Sequence, residues 1–336
     1  MEQAMEAGVA VSRRRFLATA AAFCAAPAIA QGRWSPLSER AARLDQLHSL
    51  TISERGRITF STAFRGPATD RPVNVKSVSK TVVTTILGAA TDRGAVTGPD
   101  QTLATVAPDL IPDDADPRVA DITLGDLASL QAGLERTSGR NYGAWVSSPN
   151  WVSFALSRPM VREPGAGMLY STGSTHVLGA ALSIATGETL LTLARRWIGD
   201  PLDIEIPAWT RDPQGFYLGG NEMALSPLAL IRLGEAFRQG GGDVVSRAWV
   251  EAAWTPRTRS PFSGFDYGYG WFLARAGSHP VRFARGYGGQ MLYVIPDLEL
   301  TVAITSDPTR PARSQGYAGD LNRLLAEEIV PVVEMA

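Results

Sequence analysis

The sequence predicts an α/β protein of the α+β type: an antiparallel sheet covered by helices, with a mostly helical lobe beside it. Two observations predict it. Short alternating apolar runs sit near both ends of the chain, and the stretch between them reads as helices interrupted by Pro and Gly. The last runs are separated by tight turns, so those strands are antiparallel. Adding the first hairpin to them makes one sheet.

The elements follow in order. Ser35–Leu47 is expected as an amphipathic helix, with His48 assigned to its C-terminal end. Ser49–Ser53 and Arg57–Ala63 alternate around a turn at Glu54-Arg55-Gly56. A strong helix is expected from Ser77 to Arg93, with Val82, Val83, Ile86, Leu87 and Ala90 as its buried stripe and Gly94 as its C-cap. Pro99 to about Asp200 is helical with loops, and Ala224–Gln239 is a helix stopped by three glycines. Strands are expected at Tyr267–Ala274, Val281–Ala284, Met291–Ile295 and Leu300–Thr305, with a tight turn at Pro296-Asp297. A last helix covers roughly Gly316–Ile329. The sheet lobe is thus about residues 31–75 and 260–336, and the helical lobe about 95–255.

Residues 1–30 stand apart. Arg13-Arg14 followed by Phe16-Leu17, an Ala-rich apolar run and Ala28-Ile29-Ala30 are expected to be a cleaved twin-arginine signal, which places the mature protein in the periplasm or outside the cell. The apolar run is too short to span a bilayer comfortably, and no later segment is long and apolar enough to do so. The 336 residues are 45% hydrophobic and carry a formal net charge of −1. No basic stripe is present, so a nucleic-acid partner is not expected. The single cysteine, Cys24, lies inside the signal, so the mature chain has no thiol for catalysis, disulfides or metal.

Of 32 basic residues only two are lysines, Lys76 and Lys80. Arginine does not release its proton in a protein, whereas a desolvated lysine does. Ser77-Val78-Ser79-Lys80 places a hydroxyl and an amine one helical turn apart on one face, so the amine can act as base for the serine. Tyr170 follows a Pro/Gly loop at the start of another helix, where a phenol can shuttle a proton if cations lower its pKa. Arg285-Gly286-Tyr287-Gly288-Gly289-Gln290 lies between two strands, and its glycines suggest close approach of a ligand or another backbone. The three histidines lack a G-x-S-x-G partner motif: His48 falls to the first helix, His279 to a loop, and His176 to a helix at the edge of its lobe. No metal-ligand spacing is present, so neither metal nor other cofactor is expected.

Ser77-Val78-Ser79-Lys80, Tyr170-Ser171-Thr172 and Tyr287-Gly288-Gly289 resemble, in order and spacing, the motifs of the class C β-lactamase-like serine hydrolases, a superfamily that includes penicillin-recognising enzymes, esterases and 6-aminohexanoate-oligomer hydrolases. The resemblance runs from about residue 50 to 330 and looks most like the esterase and oligomer-hydrolase branch. It implies Ser77 as nucleophile, Lys80 as base and Tyr170 as proton shuttle, with the backbone N–H groups of Ser77 and Gln290 as the oxyanion hole. Tyr287, Gly288, Gly289 and Thr172 would bind substrate, a small ester or amide. Thr172 replaces the usual Asn, and Tyr287-Gly288-Gly289 replaces Lys- or His-Thr-Gly, so the groups that hold a β-lactam are altered. The alternatives are a β-lactamase, a D-Ala-D-Ala carboxypeptidase or a non-catalytic binding relative. Arg282 or Arg285 could supply a missing cation, and strand alternation leaves open which one faces the site.

Overall fold

The computed structural model describes residues 32–313 and 315–336. The expected export signal lies outside them. Among the described residues, eight strands form one antiparallel sheet in the order β2-β1-β10-β9-β8-β7-β6-β5. They are β1 (Leu47–Glu54), β2 (Arg57–Ala63), β5 (Thr258–Arg259), β6 (Asp266–Tyr267), β7 (Phe272–Ala276), β8 (His279–Gly286), β9 (Gln290–Ile295) and β10 (Leu300–Ser306). The first hairpin therefore joins the last strands through β1 and β10, as the sequence pattern implies. A separate pair, β3 (Val73–Asn74) and β4 (Ala224–Leu225), sits beside the site.

Strand β9 shows how the sheet separates two cores. Successive side chains point to opposite faces. Leu292 and Val294 pack with Leu230, Leu233 and Phe237 of the Pro227–Arg238 helix. Met291, Tyr293 and Ile295 pack with Ala318, Leu321 and Leu325 of the C-terminal helix. Both faces are covered, which is why β9 and β10 are apolar without strict alternation. The Pro227–Arg238 helix lies within the segment expected to form the helical lobe, yet it packs on β9, β10 and β1.

The boundaries need several corrections. The first helix ends at Ala42, because Leu47 is required opposite Ser306 at the start of β1. His48 is consequently a strand residue. Ala224–Leu225 is extended and pairs with Val73–Asn74. The helix behind it starts at Pro227, where Ser226 Oγ accepts from Ala229 N at 3.0 Å. Tyr267–Ala274 is two strands, separated where Gly268 N donates to Trp271 O. His279 opens β8 rather than lying in a loop.

The helix expected at Ser77–Arg93 begins as a 3-10 turn, Lys76–Val78, and becomes α-helical over Ser79–Asp92. Its expected apolar stripe is buried, and so is every other residue from Ser79 to Ala90. It is a central helix, walled in all round. Truncating Ile86 to Ala would cost about 2–5 kcal/mol. This packing gives Ser77 and Lys80 a rigid base.

Candidate active site

Lys76, immediately before the serine, has a φ of 51°, and this bend turns the chain into the helix that carries Lys80. The bend is held from outside. Asn74 Oδ1 accepts from Lys76 N at 2.9 Å, and Glu222 receives Asn74 Nδ2 at 2.6 Å and Lys76 Nζ at 2.9 Å. Ser79 Oγ donates to Lys76 O at 2.5 Å and accepts from Met223 N at 3.2 Å. The second lysine thus braces the turn bearing Ser77.

Lys80 is 1% exposed. Its Nζ lies 3.1 Å from Ser77 Oγ, 3.2 Å from Thr172 Oγ1 and 2.7 Å from Gly220 O. Desolvation lowers its pKa from 10.5 to about 7. A neutral amine has two N–H groups and one lone pair. Gly220 O and Thr172 Oγ1 can take the two N–H groups, which leaves the lone pair for the Ser77 hydroxyl.

Tyr170 precedes the Thr172–Thr186 helix and hydrogen-bonds Ser77. Its ring faces Lys80 Nζ, 5.1 Å from the ring centroid. The loop before it is stapled to the Leu130–Gln131 stretch: Leu169 N donates to Leu130 O at 2.8 Å and Gln131 Nε2 to Gly165 O at 2.5 Å. Burial raises the Tyr170 pKa, and the bond to Ser77 and the charge of Arg285 only partly offset it. The expected depression by cations is therefore outweighed by desolvation.

Thr172 is held by Ser138, whose Oγ accepts from Thr172 N at 2.9 Å and lies 3.1 Å from Thr172 Oγ1. Sequence reasoning missed Ser138 and Gly220, which are distant in sequence from everything they serve. Gly220 left one legible trace, the Gly219-Gly220 pair. A Cβ on Gly220 would fall 2.1 Å from Thr175 Oγ1 and 2.9 Å from Lys80 Cγ.

A cavity of about 580 Å³ opens over Ser77. Tyr170, Thr172, Arg285 and Tyr287 line it, and Phe262 and Tyr287 stand at 60% and 53% exposure. The end of β8 lies against the serine turn so closely that a Cβ on Gly286 would meet Val75 O at 2.3 Å. Three of the proposed strand residues do not reach the cavity. Gln290 is fully buried, and its side-chain carboxamide is bonded to the Ser306 backbone and to Tyr287 O. Gly288 faces Asp307 O and Gly289 faces the Tyr317 ring. The reason is the hairpin: Gly286 pairs with Gln290, so Gly288 and Gly289 form its tip and Gln290 begins the next strand inward. Tyr287 is the residue that follows Gly286 at the cavity. Of the two arginines, Arg285 lines the cavity and donates Nη2 to Ala312 O at 2.7 Å, while Arg282 lies over Trp254. Three residues apart on one strand, they face opposite sides.

His176 is not at an edge. It is fully buried against Trp145 and Trp151, with its ring bonded to Asp212. Among the described residues, no cluster of three metal-ligating side chains occurs.

A family model for the beta-lactamase domain matches residues 48–327. The chain belongs to the beta-lactamase family. The match spans all three motifs of this beta-lactamase-family serine hydrolase. No curated protein matches it in sequence. Its fold is shared with EstCE1, a hydrolase with promiscuous acyltransferase activity, at 18% identity and a TM-score of 0.73, covering 91% of this chain and 97% of that one. A penicillin-binding protein homologue from Caulobacter crescentus gives 17% identity and a TM-score of 0.72, with coverage of 92% and 99%. A D-stereospecific amidohydrolase from Streptomyces gives 17% and 0.69, with coverage of 88% and 98%. At these identities the likeness concerns the fold.

Proposed function

We propose that this hydrolase cleaves carboxylic esters or small linear amides through an acyl-enzyme on Ser77. The observation that carries the reading is Lys80: buried, lowered to about 7, and with Gly220 O and Thr172 Oγ1 placed to take its two N–H groups. Ser77 Oγ attacks the substrate carbonyl carbon, and its proton passes to Lys80 Nζ. The oxyanion forms against the backbone N–H groups of Ser77 and Tyr287, the latter in place of buried Gln290. When the carbon–oxygen or carbon–nitrogen bond breaks, Tyr170 gives its proton to the leaving group and regains one from Lys80. The two pKa shifts divide the labour. Lys80 is lowered and serves as base, while Tyr170 is raised and serves as donor. Water then releases the acyl group.

The preference for esters and linear amides rests on what the cavity offers. Thr172 Oγ1 lies within bonding distance of both Lys80 and Ser138, and it has no amide to hold an acylamido group. Losing a hydrogen bond between neutral groups costs about 0.5–1.5 kcal/mol, or up to about one order of magnitude in rate. A hydrolase with promiscuous acyltransferase activity and a D-stereospecific amidohydrolase are among the proteins that share this fold. Arg285 favours the second reading, a β-lactamase or carboxypeptidase, because a cation lines the cavity. The test is kcat/KM for p-nitrophenyl butyrate against nitrocefin on one preparation. Ester turnover should exceed nitrocefin turnover, and the reverse order assigns the protein to the second reading.

We also infer that residues 1–30 send the folded protein out through the twin-arginine machinery, from Arg13-Arg14 and the Ala-Ile-Ala end. Replacing Arg13 and Arg14 by Lys should trap precursor in the cell. Normal export of that variant would sink the idea.

A further inference from the structure

The buried pair His176 and Asp212 has no part in the chemistry above, yet it is bonded into the segment that supplies Gly220 O. His176 Nε2 lies 3.0 Å from Asp212 Oδ2, and both side chains are fully buried. On the other side of the ring, Gly219 N donates to His176 Nδ1 at 3.2 Å. Asp212 Oδ1 accepts from Gln214 N and Phe216 N, each at 2.9 Å. The next residue after Gly219 presents its carbonyl to Lys80. Burying an imidazole and a carboxylate is costly unless every polar atom is paired, and here each of the four is.

The bonds fix the tautomer. Nδ1 accepts from Gly219 N, so it carries no proton, and the ring proton sits on Nε2, directed at Asp212. We propose that Asp212 and His176 are positioning residues: Asp212 sets the imidazole tautomer, the imidazole holds Gly219 N, and the Gly220 carbonyl is thereby kept on Lys80 Nζ. The inference rests on Lys80 being the base for Ser77. With Gly220 O in place, the lone pair of neutral Lys80 is turned to the serine. With it displaced, the amine rotates and the lone pair is lost to other directions.

Asp212→Asn separates this role from simple packing. The asparagine Oδ1 is claimed by Gln214 N and Phe216 N, so its NH2 faces Nε2. The ring must then carry its proton on Nδ1, where it meets the N–H of Gly219, donor against donor. The shape of the core is unchanged.

The experiment follows saturation labelling of Ser77 by a fluorophosphonate in the whole protein, with imidazole nitrogen NMR of the same samples. Asp212→Asn should slow the maximal labelling rate by about tenfold or more through misplacement of the base, with the half-saturating concentration within about twofold. The imidazole proton should move from Nε2 to Nδ1. A second pair covers the case in which Asp212→Asn does not fold. His176→Asn places an amide oxygen near Nδ1 and keeps the Gly219 bond, so it should label faster than His176→Leu. Labelling of Asp212→Asn at the wild-type rate, equal rates for the two His176 variants, or a wild-type ring protonated on Nδ1 would each overturn the proposal. Failure of wild-type Ser77 to label at all would overturn the Ser77 reading itself, and this inference with it.

Discussion

Lys80 Nζ donates to the carbonyl oxygen of Gly220 at 2.7 Å, across 140 residues of sequence. This carbonyl and the hydroxyl of Thr172 leave the amine one direction free, and Ser77 occupies it. Acylation therefore depends on the fraction of Lys80 that is neutral.

The first prediction concerns pH. Because burial lowers Lys80 to about 7, kcat/KM should rise along an acid limb centred near that value and fall about tenfold for each pH unit below it. An ordinary lysine would place the limb near 10.4. A pH–rate profile with an ester stable over this range checks it, and a flat response between pH 5 and pH 8, about the span of interest, would remove Lys80 as base.

The same burial has a cost in stability. In the unfolded chain Lys80 holds its proton up to 10.5, and in the folded chain only up to about 7. Between those values the unfolded state binds more protons, so stability attributable to this site rises with pH. Below about 7 both states are protonated and the desolvation penalty is present in full. Lys80→Met should therefore gain most, relative to wild type, at or below neutral pH. The gain should shrink by several kcal/mol as pH climbs through the window. Denaturant unfolding at a series of pH values measures the difference, and a constant difference across the window would contradict it.

Gly286 sets the distance between β8 and the serine turn. A Cβ there would meet Val75 O at 2.3 Å, so Gly286→Ala must push the strand end, and Tyr287 with it, away from Ser77. A shift of about 1 Å in an oxyanion donor costs about a hundredfold in kcat. Unchanged kcat for a folded Gly286→Ala would show that Tyr287 N–H takes no part.

What could be read in the sequence was local. Ser77 and Lys80 are three residues apart at a helix start, and that spacing alone put hydroxyl and amine together. The short apolar runs of β1, β2, β9 and β10 marked the sheet, with β9 and β10 buried on both faces. Tyr287 lines the cavity, but its neighbours in the motif do not, since the chain turns between Gly286 and Gln290 and the turn takes Gly288 and Gly289 away from it. Arg285 and Arg282 could not be told apart until the register of β8 was fixed. Gly220 O, Ser138 Oγ and the Asp212–His176 pair were beyond reach for another reason. Backbone carbonyls carry no side-chain signal, and these contacts join segments 34 to 140 residues apart. His48 was misread because the helical pattern of residues 35–44 runs on without a stop signal.

The central claim is that Ser77 becomes acylated because Lys80 takes its proton. The direct measurement is peptide mapping by mass spectrometry after fluorophosphonate treatment of wild type, Lys80→Ala and Lys80→Arg. Arginine keeps the charge but not the ability to accept a proton. The adduct should appear on Ser77 in wild type and be about equally suppressed in both variants. An adduct on another residue, or near-normal labelling of Lys80→Arg, would contradict it.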